Sequence, residues 1–172
     1  MKLHLGCGNI KLENFINIDS RKTIATDKIM DISSLNEYDN NSIELIYSCH
    51  CLEHFSYTDV KRILNEWNRV LVTNGELIIR VPNFDILVNT YLLRISKKGL
   101  KYRTLDINLL GDFLGGQDYP ENTHKAFFNE KLTRNILHES GFINIKKIDY
   151  DYFPVNDASR HYSTMGFSSK KG

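Results

Sequence analysis

The opening stretch, Leu3 to Asp19, constrains the chain more than any other. "KLHLG" (Lys2 to Gly6) and "FINID" (Phe15 to Asp19) are short apolar runs, and a turn carrying Gly6 and Gly8 divides them. Runs of this kind, bounded by turn residues, suit strands buried on both faces in a parallel sheet. Only six residues, Asn9 to Asn14, join the turn to the second run. A parallel crossover ordinarily takes about a dozen or more. Any helix in this link is a single turn or so, and the first crossover is compressed.

The rest of the chain continues the alternation. "KIMDI" (Lys28 to Ile32), "IELIYS" (Ile43 to Ser48) and "GELIIRVP" (Gly75 to Pro82) read as further buried strands. Between the last two, "SYTDVKRILNEWNRVLVTNG" places Val60, Ile63, Leu64, Trp67, Val70 and Leu71 at helical spacing. Ser56 or Thr58 is expected to cap this helix and Asn74-Gly75 to end it. Its polar face, Lys61, Arg62, Glu66 and Arg69, reads as solvated surface. Weaker apolar periodicity covers residues 84–96 and 105–114, followed by the turn-rich "GGQDYPENTH". A helix over 130–140, with Asn129 as cap and Gly141 as stop, leads to the strand "FINIKKIDYDYF", with a bulge expected at Lys146-Lys147. Strands alternating with helices imply an α/β sheet with right-handed crossovers and a ligand site at the carboxyl ends of its strands.

Composition bounds the partners. With 172 residues and 41% apolar content, the chain buries one sizeable core, and residues 1–172 are expected to form a single domain. Lys and Arg number 22 and Asp and Glu 21, so the net charge of +1 gives no pull toward nucleic acid or anionic lipid. No apolar run approaches the roughly 20 residues that span a bilayer, and "MKLHLGCG" is too short and polar for a signal peptide; the expected location is cytoplasmic. Cys7, Cys49 and Cys51 cannot all pair, and they read as reduced thiols.

At the opening turn, Gly6 and Gly8 let a ligand approach the backbone, where free N–H groups can hold a carboxylate or phosphate. Asp19 is placed to accept hydrogen bonds from a ribose diol. The plainer reading is a tight turn beside a solvated strand end. A dinucleotide site is disfavoured, because Lys11 stands where the third glycine of G-x-G-x-x-G belongs and the link is too short for a full helix. "CHCLEH" is the densest chemical cluster. Cys49, Cys51 and His54 do not make a zinc set, since alternate strand residues point to opposite faces and no second Cys/His pair follows, and no metal is expected. Cys7 and Cys51 pack as small apolar residues. His50 and His54 are the candidates for proton transfer, with Glu53 able to orient a histidine; alternatively Glu53 and His54 brace the loop. Residues 91–128 form the expected substrate-side lid. They carry Gly111, Gly115 and Gly116 beside Asp112, Tyr119 and His124, of which Tyr119 and His124 are acceptor-contact candidates. An ordered surface loop or an oligomer contact would suit the same composition.

Taken in order, "LHLGCG", "NID", "MDISSL", "IELIYSCHCLEHF", "EWNRVLVTNGELIIRVPN" and "HKAFFNEKLTRNILHESGF" resemble the class I S-adenosylmethionine-dependent methyltransferases over roughly residues 3–150. Within them the chain looks like the small methyltransferase-like proteins associated with glycan and cell-surface biosynthesis, whose first helix is reduced. The resemblance implies a Rossmann-like, seven-stranded, mostly parallel sheet with one antiparallel strand near its edge. It implies S-adenosylmethionine as cofactor, with Gly6, Cys7 and Gly8 at its methionine end, Asp19 on its ribose, Asp31 on the adenine amino group and Ile32 against the ring. Ser48, Cys49 and His50 would line the cleft near the sulfonium. On the residues alone, Asp31 reads equally well as a turn cap before "SSL". The implied activity is methyl transfer to a small hydroxylated acceptor, including sugar-linked ones. A non-catalytic cofactor-binding module and a nucleotide-binding oxidoreductase are the alternatives. Many such relatives have a covering helix before the first strand, where this sequence starts at the strand itself, and the expectation is a more open cofactor site or one completed by another subunit in a homo-oligomer.

Overall fold

The computed structural model of the protein describes residues 1–98, 107–153, 155, 157 and 161–172. Its strands are β1 (Lys2–Leu5), β2 (Ile16–Asp19), β3 (Lys28–Ile29), β4 (Ile43–Cys49), β5 (Leu71–Pro82), β6 (Phe142–Ile148) and β7 (Thr164–Lys171). They form one seven-stranded sheet in the order β3-β2-β1-β4-β5-β7-β6. The β1, β2, β3, β4 and β5 pairings are parallel, and β7 runs antiparallel to both β5 and β6. The α-helices are α1 (Val60–Val70), α2 (Phe84–Lys98), α3 (Ile107–Leu114) and α4 (Glu130–Glu139), with one 3₁₀ turn at Leu52–His54. The α/β architecture expected from the alternation is the one observed, as is the mostly parallel seven-stranded sheet with one antiparallel strand near its edge that the resemblance implies. Of the expected lid and of the apolar segment 105–114, residues 99–106 lie outside the described ones.

The compressed first crossover is held by a buried side chain. Asn17, fully enclosed on β2, accepts the Leu12 N–H at 2.9 Å and donates to the carbonyls of Leu12 and Phe15. These bonds stand where a helix would otherwise satisfy the backbone of the link. His4 on β1 bonds the same Asn17 oxygen at 3.0 Å, and Asp27 accepts from both the Asn17 backbone and its amide. Lys11, bridged to Asp27 at 2.6 Å, holds the Asp27 carboxyl well below the usual carboxylate range, aided by Asn17.

The core sits where α1 lies on one face of the sheet. Val60, Ile63, Leu64, Trp67 and Val70 are buried against Leu3, Leu5, Ile18, Ile46, Leu77 and Ile79. Trp67 has no exposed surface, and its indole N–H donates to the Ile32 carbonyl at 2.9 Å. The opposite face carries a smaller cluster around Tyr47, Cys49, Ile78 and Val155.

Several boundaries differ from the sequence reading. The helix α1 ends at Val70, short of Asn74-Gly75, because Leu71 leaves the helix to pair with Ile43 at the start of β5. Ser56 and Thr58 do not cap it; their hydroxyls bond one another at 2.8 Å. β3 stops at Ile29, after which the Asp31 carboxylate accepts the Ser33 N–H and turns the chain. Asn129 caps α4 through the Leu132 N–H, Gly141 stops it with φ +81°, and the β6 register shifts between Ile143 and Lys146.

Candidate functional site

The carboxyl ends of β1, β2 and β4 converge on the glycine turn. Gly6 and Gly8 have φ of +70° and +52°, conformations open to glycine at little cost. They differ in what surrounds them. A Cβ on Gly6 would stand 2.6 Å from Cys51 Sγ, so Cys51 is packed directly beneath the turn. A Cβ on Gly8 would meet nothing within 4 Å, which leaves room for a ligand.

The turn's own N–H groups are already engaged. Gly6 and Cys7 both donate to the Ile18 carbonyl, at 2.9 and 3.0 Å, and Gly8 donates to Asp19 Oδ2 at 2.8 Å. The free N–H groups expected from the sequence are therefore absent here: the donors face the strand rather than a carboxylate ligand. Asp19 is almost fully buried, and its Oδ1 accepts the Arg21 N–H at 3.0 Å. Each carboxylate oxygen thus has one partner and a further lone pair, enough for a diol. The Thr23 hydroxyl bonds the Gly8 carbonyl, fastening the β2–β3 loop to the turn.

Arg21 extends this edge. Its Nε stands 3.7 Å from Asp19 Oδ1, and its guanidinium lies 3.5 Å from the centroid of the Tyr119 ring. Such a stacked cation is attracted by the ring's quadrupole. Tyr119, expected among the acceptor contacts, is thereby placed beside Asp19 and outside the cavity described next. Asp31 is exposed and caps its turn, while Ile32 is buried in the main core, with its carbonyl on Trp67.

Beyond β4 and β5 a cavity of about 480 Å³ opens between His50, Pro82, Asp112, His124, Asp157 and His161. Four glycine or serine positions on its wall, Gly111, Gly115, Gly116 and Ser163, add little bulk. Its lining is rich in hydrogen-bonding groups. His50, at φ +49° just past β4, bonds Thr164 Oγ1 through Nε2 at 2.7 Å. His161 bonds Ser163 through Nδ1 at 2.8 Å and pairs with Asp112 at 3.5 Å, and the Tyr162 hydroxyl donates to Asp112 at 2.8 Å. Burial holds the His124 imidazole below its ordinary range, which favours the neutral form.

The other candidates sort by face. Ser48 donates to the Leu5 carbonyl at 3.0 Å, tying β4 to β1 beneath the turn. Cys49 is buried on the opposite face beside Tyr47. His54 bonds the Thr123 carbonyl through Nδ1 at 3.3 Å, its ring 5.1 Å from that of His124. The structure therefore brings His50 and His124 to one cavity and sets His54 against its wall. Sequence reasoning missed Arg21, Asp157 and His161; the acidic strand end at Asp19 was the signal that located the edge. Burial pushes the thiols of Cys51, Cys49 and Cys7 up, so each has little thiolate near neutral pH. In the folded protein all three should react with iodoacetamide at pH 8 at least about a hundredfold slower than after unfolding. Rapid labelling of one thiol in the native state would contradict this packing.

Residues 10–79 match the sequence profile of a family described as a methyltransferase domain. The match covers 70 of the chain's 172 residues. The family uses S-adenosylmethionine, so this is an enzyme of S-adenosylmethionine-dependent methyl transfer. The sheet order agrees. An S-adenosylmethionine-dependent methyltransferase from Archaeoglobus fulgidus superposes with a TM-score of 0.62 at 15% identity, covering 99% of this chain and 85% of that one. An S-adenosylmethionine-dependent methyltransferase from Thermotoga maritima gives 0.60 at 13% identity over 99% and 82% of the two chains. Phosphoethanolamine N-methyltransferase 2 of Haemonchus contortus, in complex with S-adenosyl-L-methionine, gives 0.59 at 12% identity, over 99% of this chain and 48% of that one. At these identities the likeness is one of fold. No curated protein sequence matches the chain significantly. Among the described residues, no helix is long and apolar enough to cross a membrane.

Proposed function

We propose that the chain transfers the methyl group of S-adenosylmethionine to a small hydroxylated acceptor, with sugar hydroxyls the favoured class, held in the cavity between His50, Asp112, His124 and His161. The observation that carries this reading is the set of side chains lining that cavity, in which Asp112, Asp157, His50, His124, His161 and Ser163 offer hydrogen bonds to a hydroxylated acceptor. Its resemblance to the subgroup associated with glycan and cell-surface biosynthesis points the same way.

In this reading Asp19 accepts the ribose hydroxyls and the open space over Gly8 admits the methionine end, beside Gly6 and Cys7. Asp31 keeps one carboxylate oxygen clear of its turn for the adenine amino group, with Ile32 alongside. Ser48, Cys49 and His50 follow one another at the end of β4, between that edge and the cavity. When bound, the sulfonium supplies an electrophilic methyl group, and the protein's part is alignment and exclusion of water. His50, held by Thr164 at Nε2 and facing Glu53 through Nδ1, orients the acceptor hydroxyl, and where that hydroxyl is weakly acidic Nε2 takes its proton in exchange for the Thr164 bond. His54 stands one layer back and acts through the wall of the cavity.

One observation favours the second reading, a binding module without turnover: the N–H groups of Gly6, Cys7 and Gly8 are all satisfied internally, so the turn offers fewer ligand donors. Calorimetric titration with S-adenosylmethionine, S-adenosylhomocysteine and NAD separates the cases. Saturable binding of the first two and none of NAD, followed by S-adenosylhomocysteine formation with one of a panel of sugars, supports methyl transfer. Cofactor binding with no turnover across sugar and non-sugar hydroxyl panels selects the module, and absence of binding overturns both.

A further inference from the structure

We propose that Glu53, His54 and His124 form a binding site for one divalent transition-metal ion at the wall of the acceptor cavity. Glu53 is 1% exposed, and neither of its carboxylate oxygens has a hydrogen-bond partner. His50 Nδ1 stands 3.3 Å from Oε1 as an ion contact, and among the described residues no lysine or arginine pairs with this carboxylate. A buried carboxylate whose polar neighbours are imidazoles, with no lysine or arginine among the described residues to neutralise it, favours a bound cation.

The neighbouring side chains supply the rest of a ligand set. One donor atom from each of Glu53, His54 and His124 lies within 4.8 Å of the others. His54 is prepared for such a role: it gives Nδ1 to the Thr123 carbonyl, which leaves its Nε2 lone pair unused there, and the His124 ring stands 5.1 Å from it. A histidine oriented by a backbone carbonyl through one nitrogen is the usual outer arrangement of a metal ligand. The backbone makes the set rigid. The N–H groups of Lys125 and Ala126 both donate to the Glu53 carbonyl, at 2.7 and 3.1 Å, clamping the Leu52–His54 turn to the segment that carries His124.

Two imidazoles and one carboxylate select Zn²⁺, Co²⁺, Ni²⁺ or Fe²⁺ over Mg²⁺ and Ca²⁺, which prefer all-oxygen shells. The thiols of "CHCLEH" take no part: Cys51 lies under Gly6 and Cys49 is on the opposite face of the sheet. Because His124 also lines the cavity, a bound ion stands beside the acceptor and can polarise its hydroxyl. The ion site is independent of the cofactor assignment.

The test is titration of chelator-treated, full-length protein with Co²⁺, following visible d–d absorption, then displacement by Zn²⁺. One equivalent bound is expected, with affinity weakened at least about a hundredfold in Glu53→Gln and in His124→Gln and unchanged in the exposed-histidine control His138→Gln. S-adenosylhomocysteine binding, measured on the same samples, reports separately on the cofactor site and on folding. If Glu53→Gln does not fold, the partly exposed His124→Gln carries the comparison. No saturable uptake below millimolar Co²⁺ by folded wild type, or uptake that survives both substitutions, overturns the proposal.

Discussion

Asp19→Ala is expected to weaken S-adenosylhomocysteine binding roughly 5- to 150-fold, the equivalent of about 1–3 kcal/mol for hydrogen bonds from a buried diol to a carboxylate. Two effects contribute and must be told apart. Asp19 also accepts the Gly8 and Arg21 N–H groups, so its loss frees the turn as well as the ribose. A double-mutant cycle separates them. Wild type should discriminate S-adenosylhomocysteine from its 2′- and 3′-deoxy counterparts, and Asp19→Ala should bind all three alike. If the variant still discriminates as well as wild type does, the diol is held elsewhere and Asp19 serves only to close the turn. The stacked Arg21 and Tyr119 make a useful control, since Tyr119→Leu removes the ring while leaving the Asp19 contacts to Gly8 in place.

The edge that Asp19 defines was legible because its signal is local. A strand-like run, two glycines and a carboxylate at the next strand end occupy Leu3 to Asp19. The strands around it were legible for the same reason, since apolar runs bounded by turns have few other uses. Leu71 shows where such reasoning stops. It is in phase with Val60, Ile63, Leu64 and Trp67, yet it pairs with Ile43, because an apolar residue at a helix–strand junction satisfies both patterns. Buried polar residues were the other blind spot. Asn17 and Arg80 lie in strands where a polar side chain reads as solvent-facing, but Asn17 replaces a crossover helix and Arg80 donates to the carbonyls of Asp149, Tyr150 and Phe153. Their partners come from other elements, which no short window contains. The same holds for Arg21 on Tyr119 and for Glu53 beside His124: each half was visible, and only the fold joins them.

Trp67→Ala should cost about 3–5 kcal/mol, the range for truncating a large buried aromatic. For a domain of this size that is a fall in Tm of roughly 6–20 °C. The position is unusually exacting because packing and hydrogen bonding coincide there. The indole fills the space between α1 and the sheet with no exposed surface, and its N–H is the partner of the Ile32 carbonyl in the turn that follows β3. Trp67→Phe retains most of the apolar volume but leaves that carbonyl bare, and it should cost about 1–3 kcal/mol. Urea unfolding of the two variants measures both. A Phe variant as stable as wild type would mean the hydrogen bond contributes nothing net, and an Ala variant losing under 1 kcal/mol would mean that α1 does not seal the core. The same pair reaches the site. Ile32 and Asp31 are adjacent, and the Asp31 turn is braced by its own bond to Ser33. Freeing the Ile32 carbonyl should therefore loosen the adenine side of the proposed cofactor cleft while leaving Asp19 and Gly8 untouched. In Trp67→Phe, S-adenosylhomocysteine should lose affinity to a degree that an isolated methionine moiety does not share, which ties a core contact under α1 to the shape of the binding edge.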